Sequence, residues 1–161
     1  MRKKLAYCLA TVFGVGYCPV ASGTAGSLVT IPLAWCLAFY SGVVGITIGA
    51  MLAFFVGTAA TKEVLKYTKH DPSIVVIDEL AGQLLSFGLV ANQLIGRTDF
   101  GAILIYLLGF GLFRLFDITK PQPAKWADSQ VLNAWGVMLD DIFAGIYAAA
   151  VLWMINLVFV L

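Results

Sequence analysis

The chain has 161 residues, 61% of them hydrophobic and 12% charged, with a formal net charge of +1 at pH 7. Soluble domains are about 45–50% apolar and about 25% charged, so too little charge is present to cover a soluble globule, and that class is excluded. Disorder is excluded by the same apolar content, and a near-neutral chain lacks the basic field that a nucleic-acid partner requires. What remains is one integral membrane domain over residues 1–161, in keeping with a mean hydropathy of +0.93.

In chain order, Arg2-Lys3-Lys4 and the apolar run 5–13 imitate the start of a signal peptide. The following Gly14–Ser22 is not a cleavage site, and residues 5–16 are expected to form a short interfacial or re-entrant helix. Thr24–Ala60 carries no charge. Roughly 20 residues cross ~30 Å of hydrocarbon, so this run suits two spans, Ser27–Tyr40 and Val43–Thr61, turning at Ser41-Gly42. Pro32 then falls within the first two turns of its span, where a missing donor is tolerated. The charged stretch Lys62–Asp71 ends at Pro72, and Ile74–Ile77 is a β-branched approach to a third span, Leu80–Gly96. Arg97-Thr98-Asp99 is a turn. A fourth span from Phe100 carries Arg114 and Asp117 on its last turn and is closed by Pro121 and Pro123. Trp126–Val137 reads as a polar loop, and Ile142–Leu161 as a fifth span. The expected fold is an all-α polytopic membrane bundle of about five spans plus the short N-terminal helix.

Orientation follows from the basic residues. With the N-terminus inside, Arg2, Lys3, Lys4, Lys62, Lys66, Lys69, Arg114, Lys120 and Lys125 lie on the cytoplasmic side, and only Arg97 lies outside. Asp78, Glu79, Asp117, Asp140 and Asp141 then all sit at cytoplasmic helix ends. Asp78-Glu79 is expected to start the third span and Asp140-Asp141 the fifth, where acids also complement a helix dipole and cap free N–H groups. Asp117 is at the wrong end of its helix for that role. Carboxylates gathered from three spans favour a hard divalent cation such as Mg²⁺, which takes oxygen ligands.

Asp78-Glu-Leu-Ala-Gly82 and Asp141-Ile-Phe-Ala-Gly145 share the pattern D-x-x-A-G. Small residues one turn after each acid allow two helices to approach closely and bring both acids to one ion. Arg114 and Asp117, three apart, share a helical face. With Lys120 they read either as a local ion pair with snorkelling or as phosphate ligands beside a metal. Ser22-Gly-Thr-Ala-Gly-Ser27 is a small-residue stretch before a helix, a candidate phosphate cradle through Thr24, Gly26, Ser27 and nearby amides. It is not a P-loop, since the Lys and the spacing are missing. His70-Asp71 reads as a polar loop, with a proton-transfer pair as the alternative. Cys8, Cys18 and Cys36 have no zinc-site spacing and read as small apolar fillers.

Four blocks carry a resemblance: Val20–Pro32, Ser73–Gly82, Phe113–Pro123 and Gly136–Gly145. In this order and spacing they resemble the bacterial phosphatidylglycerophosphatase A family. One departure is Ser22, where the family usually has Pro. The resemblance implies a small, inner-membrane, Mg²⁺-dependent lipid phosphatase that converts phosphatidylglycerophosphate to phosphatidylglycerol, with its active site facing the cytoplasm. On this reading Asp78, Glu79, Asp140 and Asp141, with Asp117, hold Mg²⁺. Arg114 and Lys120 stabilise phosphate oxygens, and Thr24, Gly26 and Ser27 seat the phosphate. The number of ions, and whether Asp117 or Asp78 acts as a nucleophile, stay open. The main rival is an ion-coupled transporter or channel subunit, which expects acids nearer mid-span. A CDP-alcohol phosphotransferase would show a D-G-x-x-A-R motif, which is missing, and a scaffold would have no use for five acids.

Overall fold

The computed structural model describes residues 3–68 and 72–159, so the expectations for His70 and Asp71 lie outside the described residues. The elements are α1 (Lys3–Ala10), a 3₁₀ turn Val15–Tyr17, α2 (Ser22–Val64), α3 (Ile77–Ser86), a 3₁₀ turn Ala91–Leu94, α4 (Phe100–Thr119), α5 (Ala124–Gln130) and α6 (Ala134–Phe159). The described residues contain no strand, so the fold is all-α. Three helices, α2, α4 and α6, are long and apolar enough to cross a membrane.

The 43-residue α2 is broken at Gly42, whose φ of 54° and ψ of −136° are open to glycine and costly for other residues. A Cβ on Gly45 would lie 2.7 Å from the Leu37 carbonyl oxygen, and one on Gly49 2.7 Å from Leu37 Cδ1. A straight helix would separate residues 37 and 49 by about 18 Å. The chain therefore doubles back at Gly42 into two arms, 22–41 and 43–64, as the Ser41-Gly42 signal implied. Asn92 Oδ1 accepts the Val43 N–H at 2.9 Å and caps the second arm from another segment.

Several expected boundaries move. The first arm begins at Ser22 rather than Ser27 because small residues let it pack on the turn that leads into α3. Ser22 Oγ donates to the Ser73 carbonyl at 2.6 Å, and a Cβ on Gly26 would lie 2.9 Å from Val76 Cβ. Pro32 is consequently deep in the helix, not in its first two turns. The third segment is not one helix over 80–96, because α3 ends at Ser86. Beyond it Phe87, Val90, Ala91 and Leu94 are fully buried, so protein covers the irregular backbone that follows α3. Gly109 of α4 makes room for the Phe87 ring, against which it packs in contact. The expected loop 126–137 instead holds α5 and the start of α6. The cysteines, expected as fillers, are free and exposed, since the buried helix faces are taken by Ala, Gly and Thr.

Helix α1 lies across one end of the bundle. Ala6 and Ala10 pack with Ala60, Val64, Val75 and Val76, and the Val76 N–H donates to the Ala10 carbonyl at 2.9 Å. The same end carries the starts of α2 and α3, the end of α4, and α5.

Candidate active site

The site is built on the crossing of α3 and α6. A Cβ on Gly145 would lie 2.5 Å from the Gly82 carbonyl oxygen, and one on Gly82 would collide with the Asp141 carbonyl. No side chain separates the two backbones at this point, so they touch. Asp78 and Asp141 each precede the crossing glycine by four residues, one turn, and so face each other across it. Carboxylate oxygens of Asp78, Glu79 and Asp141 all lie within 4.8 Å of one another. Asp78 is 6% and Asp141 4% exposed. Glu79 Oε2 is buried and has no hydrogen-bond partner.

The cationic side comes from α4. Arg114 Nη1 lies 2.5 Å from Asp117 Oδ2, an i,i+3 pair on one face. The same nitrogen reaches Ser27 Oγ of the first arm at 3.5 Å, and Ser27 Oγ donates to the Gly23 carbonyl at 2.9 Å. Gly23 is where the first arm touches the site. A Cβ there would clash with Glu79 Oε1 and lie 3.2 Å from Arg114 Nη1. Gly23 was not singled out from sequence, although its place in the first small-residue block was the available signal.

Other expected members are placed elsewhere. Asp140 is the neighbour of Asp141 on a helix, hence turned about 100° away. Its Oδ2 accepts from Lys120 Nζ at 2.7 Å, and Asp78, Glu79 and Asp141 form the close group without it. Asp140 and Asp141 are the seventh and eighth residues of α6, so dipole complementation at a helix start does not account for them. Lys120, at the C-cap of α4, donates also to Asp128 of α5 at 2.5 Å. Burial opposes its charge, but the hydrogen bonds to Asp128 and Asp140 outweigh this and raise its pKa above the ordinary lysine value. Lys120 thus ties α4, α5 and α6 together. Asp128, its second partner, was passed over because its segment read as loop.

The cradle expected at residues 22–27 is helix. The Ala25 amide already bonds to the Ala21 carbonyl at 3.0 Å, so the Gly26 and Ser27 amides are inside the ladder and are not free for an anion. Gly26 serves packing, Ser27 meets Arg114 through its hydroxyl, and Thr24 sits half-buried in the first turn.

The donor set fits a hard divalent cation. It is all carboxylate oxygen, drawn from two helices, and it includes a buried oxygen with no partner. Oxygens around one Mg²⁺ lie up to about 4.2 Å apart, so the observed spread needs only a small inward adjustment. Two buried carboxylates and a half-buried third beside one guanidinium also repel one another, and a cation relieves that repulsion.

A family model described as Phosphatidylglycerophosphatase A matches residues 8–156. The chain is 35% identical over 155 residues to Phosphatidylglycerophosphatase A of Escherichia coli K12, covering 92% of this chain and 81% of that protein. It is 33% identical over 149 residues to the Haemophilus influenzae protein of the same name, covering 92% and 86%. It is also 34% identical over 146 residues, covering 87% and 86%, to a Bacteroides thetaiotaomicron protein provisionally named phosphatidylinositol-3-phosphatase. No solved structure matches the chain.

Proposed function

The chain belongs to the phosphatidylglycerophosphatase A family, and on that premise we propose that it is the lipid phosphatase that hydrolyses the terminal phosphomonoester of phosphatidylglycerophosphate in a Mg²⁺-dependent reaction. The observation that carries the reading is the convergence of Asp78, Glu79 and Asp141 beside Arg114 at one end of an apolar bundle. An ion-coupled pathway would distribute its acids along the spans.

Asp78, Glu79 and Asp141 would hold the ion. When bound it supplies neutralisation of phosphate charge and lowers the pKa of a water on it. Arg114 presents its guanidinium to the phosphate oxygens, where charge grows during transfer. Asp117 holds the guanidinium by its Nη1. Ser27 Oγ, its proton given to the Gly23 carbonyl, accepts from the same nitrogen and helps position the guanidinium. Gly23 keeps the space between Glu79 and Arg114 open, because any side chain there would occupy it. Lys120 and Asp128 set the position of α6 through Asp140, and so the position of Asp141.

The chain is proposed to cross the membrane five times: by the two arms of α2, the segment 77–95, α4 and α6. The site end carries Lys3, Lys4, Lys62, Lys66, Arg114, Lys120 and Lys125, whereas Arg97 lies at the other. The positive-inside rule then puts the site at the cytoplasmic face of the bacterial inner membrane. A headgroup at that leaflet meets Arg114 without leaving the bilayer surface.

The test is phosphate release from phosphatidylglycerophosphate by purified protein in mixed micelles, with Mg²⁺ or EDTA, for wild type and Asp141→Asn. Phosphatidylinositol 3-phosphate is assayed in parallel. Mg²⁺-dependent release from phosphatidylglycerophosphate, lost in the variant, supports the proposal. Release only from the inositol lipid reassigns the substrate, and release that survives EDTA and the substitution overturns the metal mechanism.

A further inference from the structure

A groove of about 350 Å³ runs between the first arm of α2 and α4, lined by Ile31, Pro32, Trp35, Ile103, Tyr106 and Leu107. Its walls continue the helix faces that carry the phosphate end of the site. On the first arm, Ser27, Ile31 and Trp35 follow at successive turns. On α4, Arg114, Leu107 and Ile103 recur at spacings of seven and four, which also keeps them on one face. Ser27 and Arg114 meet at 3.5 Å, so the groove starts about one turn, roughly 5 Å, below that contact. It reaches Trp35 about 12 Å below Ser27, at 1.5 Å per residue. Ile103 and Leu107 are 51% and 58% exposed, so the groove opens sideways, toward lipid. Tyr106, 6% exposed, forms its floor.

We propose that this groove is an acyl-chain subsite: one fatty-acyl chain of the glycerophospholipid substrate lies in it while the phosphate is held at Arg114. The inference rests on the phosphatase reading and adds to it the path by which substrate enters, laterally between α2 and α4. The lining suits a hydrocarbon chain because it offers no charged group. The groove spans four residues of each helix, Ile31 to Trp35 and Ile103 to Leu107, about 6 Å at 1.5 Å per residue, the length of roughly five carbons of an extended chain. Continuity with Ser27 and Arg114 sets this groove apart from the apolar hollow around Thr47, Met51 and Leu85, whose walls are the second arm, α3 and α6. That hollow shares no wall with the Ser27–Arg114 contact.

The experiment fills the groove and compares substrates by chain length. Phosphatidylglycerophosphate with two oleoyl chains and its dihexanoyl counterpart are assayed with wild type, Leu107→Trp and Met51→Trp. The expected result is that Leu107→Trp lowers the ratio of kcat/KM for the long chain over the short chain at least tenfold, through KM, while Met51→Trp leaves the ratio at the wild-type value. An unchanged ratio in Leu107→Trp overturns the proposal, as does an equal shift in both variants.

A binding readout decides the groove without relying on turnover. With Trp126, Trp135 and Trp153 replaced by Phe, Trp35 is the remaining tryptophan. Phospholipids brominated on the acyl chain, with either a phosphomonoester or a phosphocholine headgroup, are compared as quenchers at equal mole fraction. Excess quenching by the phosphomonoester lipid, lost on adding Leu107→Phe, supports the subsite, and equal quenching by both lipids overturns it. Absence of phosphate release from wild type on every lipid would instead overturn the phosphatase reading, with the quenching result still standing on its own.

Discussion

Gly82 and Gly145 touch backbone to backbone: the Gly82 carbonyl oxygen lies 2.5 Å from where a Cβ on Gly145 would be. Each glycine is one turn past an aspartate, so the separation of the two helices fixes the separation of Asp78 and Asp141. Adding a side chain here alters the site without touching a carboxylate. Gly145→Val is expected to destabilise the fold by about 1–3 kcal/mol, the usual cost of overpacking, and to lower activity more than tenfold. Thermal unfolding in detergent and phosphate release measure the two effects separately.

Adjacent acids should behave differently. Asp141 faces the carboxylate group, whereas Asp140 faces Lys120. Asp141→Asn is expected to cost about 10²–10³ in kcat, the range for losing one electrostatic contact to the transition state, and to weaken Mg²⁺ activation. Asp140→Asn should act mainly on stability and retain Mg²⁺ activation at near wild-type ion concentration. Titration of activity against Mg²⁺ for both variants checks this.

Arg114 is held by Asp117 and reaches Ser27 through one nitrogen. A lysine has no second terminal nitrogen to present to phosphate while the first is held by Asp117. Arg114→Lys is therefore expected to lose about 10²-fold in kcat/KM and not to rescue Arg114→Ala fully. Ser27→Ala, which removes a contact at the 3.5 Å limit, should cost only a few-fold. Steady-state kinetics on the three variants ranks them.

Lys120 predicts a pH dependence of stability. Its folded pKa lies above the ordinary value of 10.5. A group raised on folding contributes stability that is fully present below the unfolded pKa and is lost as pH rises through the folded one. Wild type should thus lose stability as pH rises above about 10.5, and Lys120→Met, less stable at neutral pH, should lose less over that window. Unfolding midpoints from pH 8 upward, in detergent, provide the comparison.

Gly42 and Asn92 predict a fold effect remote from the site. Gly42→Ala forces φ 54° on a residue with a Cβ, and that Cβ would sit 2.5 Å from Asn92 Oδ1. Asn92→Ala removes the cap of the second arm and should cost about 1 kcal/mol. The glycine substitution should cost more than the loss of the cap, and thermal unfolding of both variants reads the order.

Composition and local pattern determined much of this protein. The uncharged run 24–60 and the Ser41-Gly42 break implied a folded-back pair of helices, because no single helix of that length fits a bilayer. The D-x-x-A-G repeat implied a close crossing with two acids above it, since glycine removes the bulk that keeps helices apart. Arg114 and Asp117 were legible as a pair from their spacing of three. Tertiary structure decided what spacing could not reach. Ser86 ends α3 because Phe87 turns into a space opened by Gly109, a contact between distant segments. The stretch 22–27 is helical from Ser22 onward because Gly26 and Ser22 pack against residues 73–76. Lys120 turns to Asp128 and Asp140, and away from the carboxylates that line the site, because α5 forms where the sequence read as loop. Each of these outcomes depends on a partner more than ten residues away or on a helix start shifted by several residues. A hydrophobic period along one segment carries no information about either.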